Sequence, residues 1–332
     1  MPVPIVTVVV PTLAGDDAWA ACLRSLENQT LEDFEVVVVD NSGAGRVKTD
    51  RARVIANKRN VGFGAAINQG IRTSQAAYIA TLNDDAVADV RWLEALVAAA
   101  ENRSRVGMCA SQVRLADSGK LDSAGMLIAA DGSSKQRGHG EDPVKFAKHG
   151  NALCPSGSAA LYRRAMLDEI GLFDEEFFLY CEDTDLGLRA RRAGWECAYV
   201  PDAMVEHRYS HSAGRASPMK AYYVERNRLY TAVKNLPLPM LIAASFAALA
   251  RYFWHFALIF QGRGKAAEFR RGGNSAILLP LVVLRAHAAA LFRLPRLLAE
   301  RAHIRRLSRL SSREFRSLLA RHSISVRKVA EL

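Results

Sequence analysis

The sequence predicts an α/β fold, with a mostly parallel central sheet, helices on both faces and a helical C-terminal region of different character. Three observations predict it. Continuous β-branched runs such as Ile5–Val10 and Phe34–Val39 read as strands buried on both faces. Segments with helical spacing alternate with them, which implies right-handed βαβ units. After Pro237 the composition shifts to broken apolar runs and a large excess of Arg. With 50% hydrophobic and 24% charged residues over 332 positions, the chain has the composition of a globular protein.

The elements follow in order. Ile5–Val10 is a first strand, and because MPVPIVTVVVP has no basic leading segment and is broken by Pro4 and Pro11, it is not read as a signal peptide. Trp19–Gln29 has helical spacing. Phe34–Val39 is a second strand, closed by the turn Asp40-Asn41-Ser42-Gly43. Val54–Ala56 is a short third strand, Gly64–Thr73 a helix, Tyr78–Leu82 a fourth strand and Arg91–Asn102 another helix. Val106–Val113 reads as a strand. Asp131–Gly150, rich in Gly, Lys and His, is expected to be a mobile loop over the site, with His139 and His149 as loop histidines. Further strands are expected at Ala159–Arg163, Glu196–Val200 and Ala203–Tyr209.

Polar residues gather past the C-terminal ends of these strands: Thr12, Asp40, Asn60, Asp84 and Asp85. In an open parallel sheet that edge binds ligands, although each residue alone also suits a turn. The segment Phe177–Gly194, FFLYCEDTDLGLRARRAG, adds Glu182, Asp183 and Asp185 in the first turn of a helix, behind an aromatic run and ahead of a stop at Gly194. Helix capping needs one acid, whereas three beside an apolar run suit a site that handles a proton, a metal or a sugar hydroxyl. Arg189, Arg191 and Arg192 are expected to face mostly outward. His207 reads equally as a core histidine or a ligand. Asn83-Asp84-Asp85, Glu182-Asp183 and His207 together could supply an acid, metal and base set.

Other chemistries are excluded. Gly62-Phe63-Gly64 follows a polar loop, and Ile67 stands where a dinucleotide fingerprint needs its third Gly. No phosphate-binding GxxxxGK[ST] loop, GxSxG elbow or HExxH is present. The five cysteines are odd in number and lack CxxC spacing, which argues for a reducing compartment and against a disulfide framework or zinc site.

The ordered motifs VVVPT, VVVVDNSG, NVGFGAAIN, LNDDA, PSGSAALYRR and FDEEFFLYCEDTDLGLRARRAGW, then EHRYSHS, resemble inverting family 2 glycosyltransferases with the GT-A fold. Within that family the resemblance is to bacterial rhamnosyltransferase-like and galactofuranosyltransferase-like members, over residues 4–235. It implies that Thr12, Asp40 and Asn60 contact the nucleotide base and ribose of a nucleotide-sugar donor. Asp85 would hold Mg2+ or Mn2+ on the diphosphate, with Asp84 sharing the work because Asn83 departs from the family's leading Asp. Asp183 would be the base toward the acceptor hydroxyl, and Glu182 would position the acceptor or cap the helix. His207 would complete the metal shell. Trp195 and the Ser156-Gly157 turn would shape the acceptor side, although for Trp195 and Tyr180 packing is the preferred reading.

The tail sets the partners. Pro237–Leu332 holds 17 Lys+Arg against 4 Asp+Glu, a net +13, while residues 1–236 hold 28 against 30, a net −2. Leu236–Ala250 is apolar until Arg251 interrupts, and Ala276–Leu284 is a second apolar run broken by Arg285. A spanning helix wants about 20 uninterrupted apolar residues, so the runs suit helices lying in the membrane interface, with Arg301, Arg305, Arg306 and Arg309 on lipid headgroups. The division expected is a GT-A domain at 1–236 and a basic, membrane-surface tail at 237–332. The reading is a metal-dependent inverting transferase that moves rhamnose or a similar sugar to a glycan or polyprenyl-linked acceptor. It would work in bacterial cell-surface polysaccharide assembly, at the cytoplasmic face of the membrane, peripheral or monotopic. A homo-oligomer is left open. Two rivals are weighed. A nucleotidyltransferase wants a basic phosphate loop after the first strand, yet Pro11–Asp17 has no Lys or Arg. A nucleic-acid binder wants aromatics among the basic residues, yet Arg301–Lys328 contains only Phe315.

Overall fold

The computed structural model describes residues 3–14, 18–208, 217–275 and 278–332. The chain opens with β1 (Val6–Thr12), α1 (Ala18–Glu27), β2 (Phe34–Asp40), β3 (Arg53–Ala56), α2 (Phe63–Thr73), β4 (Tyr78–Leu82), β5 (Ala86–Ala88) and α3 (Trp92–Glu101). It continues with β6 (Val106–Leu115), β7 (Leu121–Ser123), β8 (Met126–Ala129), β9 (Ser134–Gln136), β10 (Gly150–Asn151), β11 (Ala159–Arg163), α4 (Arg164–Ile170), α5 (Glu182–Arg192) and β12 (Glu196–His207). It ends with α6 (Pro218–Asn235), α7 (Leu238–Phe260), α8 (Gly264–Arg271), α9 (Leu278–Leu307), α10 (Ser312–Arg321), β13 (Ser323–Ile324) and α11 (Val326–Glu331). Two compact units form: Met1–Met126 with Gln136–Ser212, and Leu127–Lys135 with Ala213–Leu332.

The first unit is built on a sheet in the order β10-β12-β6-β11-β4-β1-β2-β3, with β5 on β12 and β7 on β6. Strands β4, β1, β2 and β3 run parallel, as do β6 and β12, and β11 lies antiparallel between β4 and β6. The β-branched runs become the core: Val8, Val10 and Val38 pack with Leu82, Trp92, Leu96 and Leu161. Register aligns the strand ends, Thr12 beside Asp40 and Asp40 beside Ala56, so the polar residues that follow share one edge.

Several sequence expectations change here. Glu196–Val200 and Ala203–Tyr209 are one strand, β12, with a register shift between Val200 and Met204 where Pro201 lacks an N–H for the ladder. Tyr209 and the rest of the EHRYSHS motif to Ser212 lie outside the described residues, as do Gly15–Asp17 and Ala276-Ile277. Asp131–Gly150 is not one loop. Ala129 N–H donates to Ser133 at 2.7 Å and closes a β8–β9 hairpin, Pro143–Phe146 is a 3-10 turn, and β10 pairs with β12. Arg189 and Arg192 of α5 are buried, not outward.

In the second unit β13, β8 and β9 form a small sheet, α6 packs on α9, and α7 packs on α8 and α11. Helix α7 runs unbroken through Arg251 because that charge is neutralised. Arg251 donates to Asp131 Oδ2 and Glu225 Oε2, both at 2.6 Å. On its other side Leu238, Ile242, Phe246, Leu249, Phe253, Phe256 and Phe260 are exposed, all within an arc of about 80° at 100° per residue. By length and composition both α7 and α9 could cross a membrane, which the broken runs had argued against. Helix α9 contains Pro295, which removes one helical hydrogen bond. Arg301 donates to Val233 O at 2.7 Å, near the C-terminal end of α6, where the helix dipole favours a cation.

Candidate active site

One turn joins the two carboxylate clusters of the shared sheet edge. Gly157 N–H donates to Asp183 Oδ2 at 2.9 Å, and Ser158 O accepts from Asn83 N–H at 2.8 Å. Thr81 hydroxyl donates to Gly157 O at 2.9 Å, which fixes the turn to β4. The turn therefore has Glu182-Asp183 on one side and Asn83-Asp84-Asp85 on the other. Asp84 lies partly exposed between Asn83 and Asp85.

Asp183 and Glu182 open α5 but differ in surroundings. Asp183 is half-buried, and Oδ1 also accepts from Thr184 N–H at 2.6 Å and Thr184 hydroxyl at 3.2 Å. Burial raises its pKa, and these hydrogen bonds pull against the rise without cancelling it. Glu182 is buried, and its Oε2 has no hydrogen-bond partner. Burial first, and the neighbouring Asp183 second, push its carboxyl up to about 8. Glu182 thus holds its proton more tightly than an ordinary carboxyl does. The third acid, Asp185, has another task. It binds Arg189 Nε at 2.9 Å, and Arg189 holds the carbonyls of Ile170, Gly171 and Leu172.

The backbone entering α5 is strained. Phe178, Tyr180 and Cys181 have φ of 61°, 71° and 69°, the left-handed region that non-glycine residues avoid. Phe63 N–H at the start of α2 donates to Phe178 O at 2.7 Å. Gly62 must be glycine there, since a Cβ would stand 2.4 Å from that same oxygen.

On the other side of the turn, Asp85 Oδ1 lies 3.2 Å from His207 Nε2. Asn83 Nδ2 is also 3.2 Å from that nitrogen. The opposite ring nitrogen, Nδ1, is 2.8 Å from Asp122 Oδ2, and Asp122 Oδ1 is 3.1 Å from His139 Nδ1. Burial alone would lower the His207 pKa, but its hydrogen bonds to Asp122 and Asp85 outweigh it and hold the ring at about 10. Asp122, on β7, was not picked out by sequence reasoning, and His139, expected to be a loop histidine, pairs with it. His149 instead pairs with Asp202 at 2.8 Å in an exposed position.

The residues expected on the donor side stand at the same edge. Thr12 hydroxyl accepts from Ala14 N–H at 2.8 Å, and Asn60 Oδ1 from Gly62 N–H at 2.9 Å. Asp40 is fully buried and accepts from Ser42 N–H at 2.8 Å and Val47 N–H at 3.0 Å. Burial would raise its pKa, and these bonds lower it below the ordinary value. Its visible work is to fold the loop after β2. Trp195 stands away from this edge. Its indole donates to Glu169 at 3.0 Å, beside the paired starts of β12 and β6.

Once His207 gives up its Nε2 proton to an incoming cation, Asp85 and His207 present two donors about as far apart as adjacent ligands of a six-coordinate cation, roughly 3 Å at usual bond lengths. Among the described residues no group of three or more His, Cys, Asp or Glu could hold a metal ion. A cation here would take its other ligands from water and phosphate oxygens, the usual manner of Mg2+. Asp122 on Nδ1 would orient the ring for it.

The glycosyl transferase family 2 profile matches residues 7–171. Over 255 residues the chain is 30% identical to N-acetylglucosaminyl-diphospho-decaprenol L-rhamnosyltransferase of Mycobacterium tuberculosis, covering 66% of this chain and 81% of that protein. It is 22% identical to O-antigen chain rhamnosyltransferase RfbN of Salmonella typhimurium, covering 62% and 67%. Among solved structures, GalNAc-T7 with UDP, GalNAc and Mn2+ aligns with a TM-score of 0.55 at 14% identity, covering 69% of this chain and 48% of that one. Mannosyltransferase PcManGT of Pyrobaculum calidifontis with GDP-Man and Mn2+ aligns with a TM-score of 0.50 at 16% identity, covering 92% and 86%. At these identities the likeness is one of fold, and it is the expected GT-A fold.

A neutral buried Glu182 has a consequence for stability. Its folded pKa of about 8 exceeds the ordinary 4.5, so the native state holds the proton more tightly than the unfolded chain. Its stabilising contribution is complete below pH 4.5 and is lost as pH rises to about 8. Glu182→Gln keeps the shape without the titration. Urea unfolding should show a flatter pH dependence across that window and a variant more stable than wild type above it, by a few kcal/mol. Parallel curves for the two proteins would mean that Glu182 is not buried as a neutral acid.

Proposed function

The chain belongs to glycosyltransferase family 2, and on that premise we propose that it moves a sugar, rhamnose or one like it, from a nucleotide-diphosphate donor to an acceptor hydroxyl with inversion. The observation that carries the reading is the turn at Gly157-Ser158, bonded to Asp183 on one side and to the Asn83–Asp85 loop on the other. Asp183 takes the proton of the acceptor hydroxyl. The freed oxygen forms a bond to the anomeric carbon from one face, and the bond from that carbon to the diphosphate oxygen breaks on the other. Glu182, which already holds a proton, does not compete for the one that Asp183 takes. Thr12, Asp40, Asn60 and Asp84 would border the donor, Asp40 through the loop it folds.

Asp85 and His207 would hold Mg2+ or Mn2+, with Asp122 fixing the imidazole. When bound, such an ion offsets the charge that gathers on the departing diphosphate. The acceptor is a glycan or a polyprenyl-linked saccharide, supported by the decaprenol-linked substrate in the name of the M. tuberculosis relative. A peripheral or monotopic place at the cytoplasmic membrane face is supported by the exposed apolar side of α7 and by the +13 balance of Pro237–Leu332.

Three outcomes are expected. Asp183→Asn keeps the shape but cannot take a proton, so sugar transfer should fall by roughly 10²–10⁴-fold with donor affinity little changed. Transfer at the wild-type rate would remove Asp183 as the base. Asp85→Ala, or chelation, should weaken binding of the nucleotide diphosphate far more than that of the nucleoside, measured by calorimetry. Equal diphosphate affinity with and without divalent cation would end the metal assignment. Full-length protein should float with anionic vesicles at low salt, and Phe246→Asp with Phe253→Asp should release it. These side chains are 71% and 62% exposed, so the fold should tolerate the change. Wild-type protein that stays off anionic vesicles would remove the membrane from this reading.

A further inference from the structure

Asp122 holds two imidazoles, and the proposed reaction uses only one of them. Its Oδ2 is 2.8 Å from His207 Nδ1, and its Oδ1 is 3.1 Å from His139 Nδ1. An ionised carboxylate can only accept, so both rings carry a proton on Nδ1 and donate it to Asp122. The Asp122 side chain is 3% exposed and that of His139 22%, so the bond between them is largely shielded from water. His139 Nδ1 also lies 3.2 Å from the main-chain oxygen of Asp122. One N–H therefore spans the carboxylate and the backbone of the same residue.

The backbone is shaped to keep His139 there. Leu121 N–H donates to Glu141 O and Gly140 N–H donates to Leu121 O, both at 2.8 Å. On the other side of His139, Arg137 N–H donates to Gly125 O at 2.8 Å and Ala124 N–H to Arg137 O at 3.0 Å. These four bonds pin the segment along β7 and the turn that follows it. His139 stands between Gly138 and Gly140, each with φ of 78°, a conformation that glycine adopts without steric cost. At Gly138 a Cβ would come 2.5 Å from Leu121 Cδ2 and 2.6 Å from Phe146 Cζ.

The terminal torsion of an aspartate side chain is soft. Held by His207 alone, the Asp122 carboxylate could turn and carry the imidazole with it. A second bond on the opposite oxygen, tied to the backbone, removes that freedom. His207 Nε2 then stays aimed at Asp85 Oδ1, 3.2 Å away. We propose that His139 is a positioning residue for the metal centre: it fixes the Asp122 carboxylate, which fixes the His207 ring toward the cation that Asp85 and His207 would share. The role rests on the metal assignment proposed above. The partner of a ligating histidine sets its orientation and the metal affinity, and here that control extends one residue further.

The test uses the full-length chain with Mn2+ alone, free Mn2+ being read by electron paramagnetic resonance, so no sugar transfer is needed. His139→Leu fills the space of the ring without a donor. It should weaken Mn2+ binding by about three- to tenfold, less than the roughly 10–100-fold typical of losing a direct partner such as Asp122. His139→Asn, whose amide N–H can stand where Nδ1–H stands, should restore affinity to within about twofold of wild type. In an Asp122→Ala background His139→Leu should cost nothing further, because the two act in series. In metal-free protein, nitrogen-edited NMR should show the His207 Nδ1–H proton exchanging at least about fivefold faster in His139→Leu than in wild type. If His139→Leu does not fold, His139→Ala takes its place in each measurement. A His139 variant without a donor that binds Mn2+ as wild type does would overturn the role of His139 alone. So would a loss that His139→Asn fails to restore, or one that persists undiminished without Asp122. Wild-type protein that takes up no Mn2+ would instead remove the metal centre itself, and this role with it.

Discussion

The first unit depends on a backbone turn that no side chain could replace. Gly157 gives its N–H to Asp183 and receives Thr81 on its carbonyl, so both of its polar groups are committed. A Cβ at Gly157 would come 3.1 Å from the Phe63 ring and 3.5 Å from Asp183 Cβ. Strand β11 leaves this turn antiparallel to β4, which brings Ser158 against Asn83. A hydrogen bond to a charged group contributes about 1.5–3 kcal/mol. The larger effect of the turn is geometric, because it sets a base candidate and a metal-ligand candidate at one place from residues a hundred positions apart.

The same turn explains how two adjacent acids come to differ. Asp183 faces backbone and hydroxyl donors, and Glu182 is buried with one oxygen unpartnered. Placing them so requires three residues near φ +60 to +70° just before α5, a conformation that costs on the order of 1–3 kcal/mol per residue. Strain of this kind persists where the surroundings over-determine it, and α2 supplies part of that through Phe63.

Much of the fold was legible because buried parallel strands and amphipathic helices leave periodic traces. Ile5–Val10 and Phe34–Val39 came through as β1 and β2 within two residues at each end. Elements of two to four residues, such as β5, β7 and β10, are too short to carry a period. That is why Asp122 was missed: it sits on a three-residue strand with no motif around it, and only the folded chain shows its contact with His207. Asp185, Arg189 and Arg251 were misjudged for a related reason. Charge on a sequence reads as surface or site, and only the partner's position reveals a buried pair. Trp195 came in with the family motif, although the indole packs at the far end of β6.

The pairing of Asp131 with Arg251 has a consequence for how the chain can be assembled. The two residues are 120 positions apart, and most of the intervening sequence belongs to the other unit. A growing polypeptide would expose the β8–β9 hairpin, with a carboxylate that needs a guanidinium, long before α7 has been made. The second unit is thus a late, high-contact-order product, closed only when the C-terminal helices arrive. Cutting the chain before α7 would leave that carboxylate stranded inside the retained piece. Along the chain the two units are interleaved.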